Sequence, residues 1–236
     1  GMAGRREARG LPTLRVSTTG PVRDGVFAEG SRIVLARDGV EQAIADLAGI
    51  GSLRGRHNAE NAAAALGALV GLGHDAHAAA AGLQSFPGLA HRLEQVGRRG
   101  KVLFVNDSKA TNADSTRRAL SSFERIYWIA GGRAKSGGIA SLSDLFPRVA
   151  RAYLVGEAAD GFAATLMGHA DAVVSGDLAT AVAQAAADAA ADPHGEAVVL
   201  LSPACASFDQ FANFEVRGEA FKALVLDLSG IERRVA

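Results

Sequence analysis

The feature that most restricts the fold of this chain is the alternation of apolar β-type runs with helical segments after residue 90. Two of these runs, residues 102–106 and 126–130, stop abruptly at loops of small and charged residues. In an open α/β sheet, such loops lie at the carboxyl ends of the strands, where ligands bind. Strands separated by helices also favour right-handed crossovers and a mostly parallel sheet.

The predicted fold class is α/β, a doubly wound, mostly parallel six-stranded sheet of the Rossmann-like type over residues 90–236. The predicted strands are residues 93–96, 102–106, 126–130, 152–155, 172–174 and 198–201. Predicted helices lie near residues 113–121, 142–146, 157–167 and 178–190, and a final one runs from 208 to about 227.

The first part of the chain, residues 1–89, has a different pattern. Residues 1–10 are polar and are expected to fray, and residues 14–37 are typical of short strands in small antiparallel ribbons. Ala-rich helices are expected at 58–72 and 76–83, with Asn58 as an N-cap and Gly73 as a C-cap. We predict too few strands here for a sheet of their own.

Composition excludes several classes of protein. The 25 basic and 25 acidic residues cancel, so there is no electrostatic case for a nucleic acid or an anionic membrane as a partner. The single cysteine, Cys205, excludes an internal disulfide and fits a reducing compartment. The longest apolar stretch, residues 62–73, is too short to span a bilayer, and no secretory signal is evident. We expect a cytoplasmic enzyme or binding domain.

Two of the four lysines lie in loops that follow predicted strands, whereas the chain has twenty-one arginines. Lys109 belongs to the run Asp107-Ser108-Lys109-Ala110-Thr111-Asn112, in which Thr111 and Asp114 have capping-box spacing. Its carboxylate, ammonium and hydroxyl groups suit a ribose on one side and an anionic substrate on the other. Lys135 follows Gly131-Gly132, but this is not a phosphate loop, because Ala134 stands where GxxxxGK[ST] requires glycine. Solvated loop charges are the alternative interpretation.

Other candidates are less specific. Asn58 and Asn61 open a helix, where they are either ligand-binding amides or a cap and a solvent-facing residue. Arg92 at the start of the α/β part could reach a phosphate or stack on a base, or be a surface residue. Ser207 and Gln210 have capping-box spacing, and the same geometry would suit a carboxylate. Three phenylalanines recur every third residue and are expected in the core: Phe208, Phe211 and Phe214.

Taken together, five ordered blocks resemble the Mur ligases. They are GRHNAEN at 55–61, AHR at 90–92, NDSKATN at 106–112, GGRAKS at 131–136 and LSPACASFDQFANFEVRGEAF at 201–221. The NDSKATN and SPACAS blocks favour the D-glutamate-adding members of the family.

The resemblance implies an ATP-dependent ligase of peptidoglycan synthesis, which adds D-glutamate to UDP-N-acetylmuramoyl-L-alanine through an acyl phosphate. By motif, the residues that would contact ATP are Asn58, Asn61, Arg92 and Asp107, with Asp107 facing the ribose. The residues that would bind D-glutamate are Lys109, Thr111, Lys135, Ser207, Phe208 and Phe214, with Lys109 and Lys135 in catalytic roles. Phe208 stands where the family pattern leads us to expect leucine.

The resemblance covers only part of a Mur ligase, from about Gly51 onward. Residues 1–89 would be the tail of the central ATP-binding domain, and 90–236 the C-terminal domain. The P-loop lysine and magnesium carboxylates of the family have no counterpart, so ATP and Mg²⁺ would serve the complete enzyme. We expect no metal ligands in this chain and no activity from it alone. A folylpolyglutamate-synthase-like ligase and a stand-alone amino-acid or nucleotide-binding module remain alternatives.

Overall fold

The structure, a computed structural model, describes residues 13–233, so the predicted frayed segment 1–10 lies outside the described residues. The chain divides into two compact units, one ending at Pro87 and the other beginning at Gly88.

The first unit contains a four-stranded sheet in the order β1-β2-β3-β4. The strands are β1 Arg15–Ser17, β2 Gly25–Glu29, β3 Arg32–Arg37 and β4 Val40–Asp46. β1 runs parallel to β2, and the other neighbours are antiparallel. The expectation that this part lacks a sheet of its own is therefore wrong. β4 escaped prediction because only Ile44 of its seven residues is buried, which leaves little apolar alternation in VEQAIAD.

Two helices, α1 Arg56–Gly71 and α2 Ala76–Ala81, share an apolar core with this sheet. Asn58 is not the N-cap of α1, because the helix begins earlier, with Gly55 at the cap. Gly73 ends the helix as predicted, but it lies one residue beyond the C-cap, which is Leu72. Gly73 has φ +90°, its N–H donates to Val70 O, and the His74 N–H donates to Leu69 O, as in a Schellman motif.

The second unit is built on a seven-stranded sheet in the order β10-β9-β7-β11-β6-β5-β13. Its strands are β5 Glu94–Arg99, β6 Val102–Asn106, β7 Ile126–Gly131, β9 Val149–Val155, β10 Ala172–Gly176, β11 Ala197–Leu201 and β13 Glu232–Arg233. The run from β10 to β6 is parallel, whereas β5 and β13 are antiparallel edge strands. β8 Arg133–Ala134 and β12 Cys205–Ala206 form a separate short antiparallel ladder.

Helices cover both faces of this sheet, which confirms the doubly wound α/β prediction. On one face lie α3 Ala113–Leu120, the 3-10 segment Ala140–Arg148 and α4 Ala159–Leu166. On the other lie α5 Leu178–Ala191 and α6 Phe214–Asp227. Successive side chains of β7 point to opposite faces of the sheet. Trp128 therefore packs into the core on the first face, and Tyr127 and Ile129 pack into the core on the second.

Three details of the prediction are wrong. The sheet has a seventh strand, β13, whose two exposed residues carry no β signal. Asn112, not Thr111, caps α3, because its side chain accepts from the Ser115 N–H. The last helix begins at Phe214, with Asn213 as its cap, so Ser207 and Gln210 do not form a capping box.

The segment from Ser207 to Asn213 stays out of that helix because its side chains bind elsewhere. The Asp209 carboxylate accepts from the Glu157 N–H at 3.1 Å, and Gln210 Nε2 donates to Gly176 O at 2.8 Å. These bonds attach the segment to the ends of β9 and β10. Tertiary hydrogen bonds thereby outweigh the local capping preference.

Candidate functional site

Three loops meet at the carboxyl edge of the second unit. We call them the Asp107 loop (residues 107–112, after β6), the Gly132 loop (132–138, after β7) and the Ser207 loop (202–213, after β11). The three strands are neighbours and parallel, so their ends lie at one edge. Backbone bonds join the loops, since Asp107 N–H donates to Leu201 O and Gly131 N–H to Pro203 O. Polar groups from distant parts of the sequence are thus collected in one place.

Asp107 is buried at the base of its loop. Oδ2 accepts from Ser202 Oγ at 2.8 Å, and Oδ1 accepts from the Leu93 N–H at 3.3 Å. Burial raises the pKa of Asp107 to about 7, although the bonds from Ser202 and Leu93 and the charge of Arg92 act in the opposite direction. Asp107 is therefore poised to change protonation near neutral pH, a property typical of functional sites.

Lys109 and Phe214 are brought together, as their assignment to one ligand site requires. The Lys109 ammonium lies 4.3 Å from the centre of the Phe214 ring, a cation–π distance. Ser108 supports this pair, since its hydroxyl donates to Phe214 O at 2.8 Å. The Lys109 N–H also donates to His91 O at 3.1 Å.

Lys135 and Ser207 flank the ladder between β8 and β12. Ala134 pairs with Cys205, and Arg133 pairs with Ala206. Since the strands are antiparallel, Lys135 and Ser207 leave this two-residue ladder at opposite ends. Lys135 is exposed and Ser207 is buried. The structure therefore joins their loops but does not place the two side chains side by side.

The remaining predicted residues of this unit lie on the same edge. Thr111 is half-buried in the Asp107 loop, where its N–H donates to Lys109 O. Phe208 is 65% exposed, so its expected place in the core is wrong. Arg92 is exposed and stands between two residues with positive φ, His91 at 61° and Leu93 at 47°. Such backbone strain is frequent at functional sites.

Asn58 and Asn61 belong to the first unit and lie in the first turns of α1. Asn58 Nδ2 donates to Arg54 O at 2.9 Å, and Asn61 is exposed. Their predicted role toward ATP stays a prediction.

Sequence reasoning missed the buried residues behind these loops. Ser202 holds Asp107, and His91 contacts Asn106 Nδ2 through Nδ1 at 3.0 Å. Arg217, 3% exposed, bonds to both the Asp107 and Ser207 loops. A signal for Arg217 was available, because it shares one helix face with Phe214, Phe221 and Val225, where an apolar residue is expected.

No group of three or more His, Cys, Asp or Glu side chains suited to a metal ion occurs within residues 13–233. Mg²⁺ coordination is therefore not assigned to any described residue. Over the same residues, no helix is long and apolar enough to cross a membrane.

The second unit is similar to a known family of ligase domains. Residues 91–205 match the family model described as Mur ligase, glutamate ligase domain. The UDP-N-acetylmuramoylalanine–D-glutamate ligase of Chelativorans sp. is 59% identical over 231 residues, covering 98% of this chain and 50% of that protein. The enzyme of the same name from Nitrobacter winogradskyi is 58% identical over 230 residues, covering 98% of this chain and 49% of the relative.

A crystal structure of MurF from Acinetobacter baumannii superposes with a TM-score of 0.62 at 19% identity, covering 96% of this chain and 49% of that one. At that identity the likeness shows the fold. The chain spans about half the length of the curated relatives it matches. The chain is thus similar to about half of a MurD-type Mur ligase, and the match of residues 91–205 to the glutamate ligase domain fits the C-terminal portion that the motif resemblance implied.

Proposed function

We propose that this chain is the D-glutamate-binding portion of an ATP-dependent ligase that joins D-glutamate to UDP-N-acetylmuramoyl-L-alanine in cytoplasmic peptidoglycan synthesis. The observation that carries the proposal is the placement of Lys109 over Phe214, in the loop that begins with the buried Asp107. The names of relatives at 58–59% identity support this substrate assignment.

The charges of the edge loops suit the amino-acid substrate. D-glutamate has two carboxylates, and Lys109 and Lys135 each bring an ammonium on an exposed loop residue. Charged hydrogen bonds of this kind are stronger than neutral ones and favour a dianionic ligand. Ser207, Thr111, Phe208 and Phe214 complete the proposed subsite. Holding both carboxylates leaves the amine of D-glutamate as the free nucleophile.

The nucleotide would meet the other side of the Asp107 loop. An ionised Asp107 accepts hydrogen bonds from ribose hydroxyls, and the exposed Arg92 beside it suits a phosphate or a base. Asn58 and Asn61 are the proposed contacts from the first unit, which we assign to the tail of the central ATP-binding domain.

The proposed reaction has two steps. ATP transfers its γ-phosphoryl group to the alanyl carboxylate, and the D-glutamate amine then attacks the acyl phosphate, forming the amide and releasing phosphate. The described residues bind and orient the amine-bearing substrate and the nucleoside. Positioned cations around the γ-phosphate drive phosphoryl transfer, and we assign none of them to this chain.

The test is the substrate dependence of phosphate release by a full-length ligase that contains this chain. Release should require UDP-N-acetylmuramoyl-L-alanine and D-glutamate together, and L-glutamate should not replace the D-isomer. A requirement for L-glutamate with a folate-like acceptor would favour the folylpolyglutamate-type alternative. Binding of D-glutamate without turnover by the full-length protein would favour a non-catalytic module.

A further inference from the structure

A single buried arginine lies where the three edge loops meet. Arg217 is on α6, one turn after Phe214, and its side chain is 3% exposed. A buried charge is costly unless it is paired or fully hydrogen-bonded. The guanidinium bonds, however, go to a hydroxyl and two carbonyls rather than to a carboxylate.

These bonds tie two of the loops to each other. Nε of Arg217 donates to Ser108 Oγ at 3.0 Å, and Nη2 donates to Ser108 O at 2.9 Å and to Cys205 O at 3.0 Å. Ser108 is in the Asp107 loop and Cys205 in the Ser207 loop. Since Ser108 also donates to Phe214 O, the start of α6 belongs to the same network.

The third loop approaches the same guanidinium from its remaining side. Nη1 has no hydrogen-bond partner among the described residues. A Cβ on Gly132 would lie 3.3 Å from Nη1 and 2.4 Å from Ala206 O, and Gly132 has φ +121°. Gly132 and Arg217 also line a common cavity of about 10 Å³. Only glycine permits this close approach at the start of the loop that carries Lys135.

Stability alone does not account for a charge at this position. Burial lowers the pKa of the Arg217 guanidinium to about 10, so the group remains protonated at neutral pH. Well-packed apolar residues of similar volume often replace even a buried ion pair without loss of stability, so a buried charge is weak evidence for a stabilising role. An apolar side chain could not replace the planar guanidinium, however, because only the guanidinium has donors that reach both Ser108 and Cys205.

We propose that Arg217 is a positioning residue for D-glutamate. It holds the three edge loops in one arrangement, in which Lys109, Lys135 and Ser207 can contact the same D-glutamate molecule. The inference rests on the proposed function, since it takes these residues as the D-glutamate subsite. Arg217 itself acts through the loops, because the donors that have partners, Nε and Nη2, bind only protein oxygens.

The first test measures KM in the full-length ligase for Arg217→Met and Arg217→Lys. Met removes all three hydrogen bonds, and Lys keeps the charge but cannot reach both loops. Both substitutions should raise the KM for D-glutamate at least about tenfold, the effect of one lost charge-assisted bond. The KM for ATP should change much less. Wild-type KM for D-glutamate in Arg217→Lys would mean that charge alone matters, and would overturn the positioning role.

A matched control is Arg125→Met in the same unit. Arg125 Nε donates to Asp192 at 2.5 Å, and Arg125 precedes β7 at the opposite end of the strands from the edge loops. This substitution should lower stability and leave the KM for D-glutamate unchanged. An equal rise in that KM would show that general destabilisation explains the Arg217 result, against our inference.

A second readout, amide hydrogen exchange in the 236-residue chain, does not depend on activity. In Arg217→Met, the Lys109 and Phe211 amides, which donate to His91 O and Ser207 O, should exchange at least about tenfold faster. Amides within β11 should keep their rates. Unchanged exchange rates in both loops would refute the proposal that Arg217 holds them in place.

The two readouts separate this inference from the function on which it rests. If turnover by the full-length ligase does not depend on D-glutamate, the proposed function is wrong. Amide hydrogen exchange then still shows whether Arg217 holds the loops in place. If turnover depends on D-glutamate and the Arg217 variants keep the wild-type KM, the positioning inference alone is wrong.

Discussion

Tyr127 donates a 2.5 Å hydrogen bond to the buried carboxylate of Asp192, in the segment that leads from α5 into β11. The neighbouring strand repeats the arrangement one helical turn earlier, where Tyr153 donates to Asp188 at 2.6 Å. In each case an arginine two residues before the tyrosine bonds to the same aspartate. Two Arg-x-Tyr strands are thus attached to one helix by aspartates four residues apart.

Asp192→Asn should destabilise the second unit by about 1–3 kcal/mol at pH 7, because the buried bonds from Tyr127 and Arg125 lose their charged acceptor. Burial alone would raise the pKa of Asp192, but hydrogen bonds from Tyr127, His194 and Arg125 outweigh it and hold the pKa well below its ordinary value. A lowered carboxyl pKa stabilises the fold above about pH 4, and this contribution is lost as the pH falls further. Urea unfolding of both proteins from pH 3 to 8 checks this.

The control for that experiment is Asp171→Asn, at an exposed residue of the same unit. It should change the free energy of unfolding by less than about 0.5 kcal/mol. A difference between wild type and Asp192→Asn that does not shrink below pH 4 would contradict the pKa assignment.

Asp107→Asn should have the opposite pH dependence. Burial raises the pKa of Asp107 to about 7, so the folded state holds a proton that the unfolded state releases near pH 4. Between pH 4 and 7, wild type should therefore lose stability relative to Asp107→Asn by on the order of 1 kcal/mol per pH unit. Urea unfolding of wild type and Asp107→Asn across that pH range measures this loss as the difference between their free energies of unfolding. A constant difference would place the Asp107 pKa near its ordinary value.

The architecture of the second unit could be predicted because periodicity and strand ends are local signals. The predicted strand Val102–Asn106 has the bounds that the structure shows. Lys109 and Phe214, which are assigned to one ligand, lie with the ammonium 4.3 Å from the ring centre. That assignment came from the motif resemblance. Nothing in the spacing of 105 residues shows that the two meet.

What the sequence did not reveal depends on tertiary bonds. Ser207 and Gln210 have capping-box spacing, yet α6 begins at Phe214 because Asp209 and Gln210 bind the ends of other strands. β4 was missed for a different reason, since a strand with one buried residue has no apolar period. Arg217 is the opposite case. It is a charged residue on the apolar face of α6, and this departure from the helical pattern indicates a buried polar network.

Phe214→Leu should raise the KM for D-glutamate about two- to fivefold in the full-length ligase. The ring holds the Lys109 ammonium by a cation–π contact worth about 0.5–1 kcal/mol, which leucine cannot supply. Phe214→Tyr keeps the aromatic face and should stay within twofold of wild type. Equal KM values for the leucine and tyrosine variants would exclude a role for the contact.

Gly218→Ala should impair folding of the second unit. A Cβ at Gly218 would lie 2.2 Å from Nδ1 of His91, which is itself buried and bonded to Asn106. The imidazole cannot withdraw without breaking that bond, so the expected cost is about 1–3 kcal/mol, typical of overpacking. Gly161→Ala, in α4 with open space around its Cβ, is the control and should not destabilise. Thermal unfolding of the two variants distinguishes these outcomes.

Lys135→Ala in the full-length ligase should raise the KM for D-glutamate roughly ten- to a hundredfold, because a charged hydrogen bond contributes about 1.5–3 kcal/mol. The KM for ATP should change far less, since Lys135 is in the Gly132 loop and the proposed ribose contact, Asp107, is in another. Ser207→Ala should act in the same direction but more weakly, as a neutral hydroxyl contributes less than an ammonium. Loss of ATP use with normal D-glutamate dependence in Lys135→Ala would show that the two ligands have been assigned to the wrong loops.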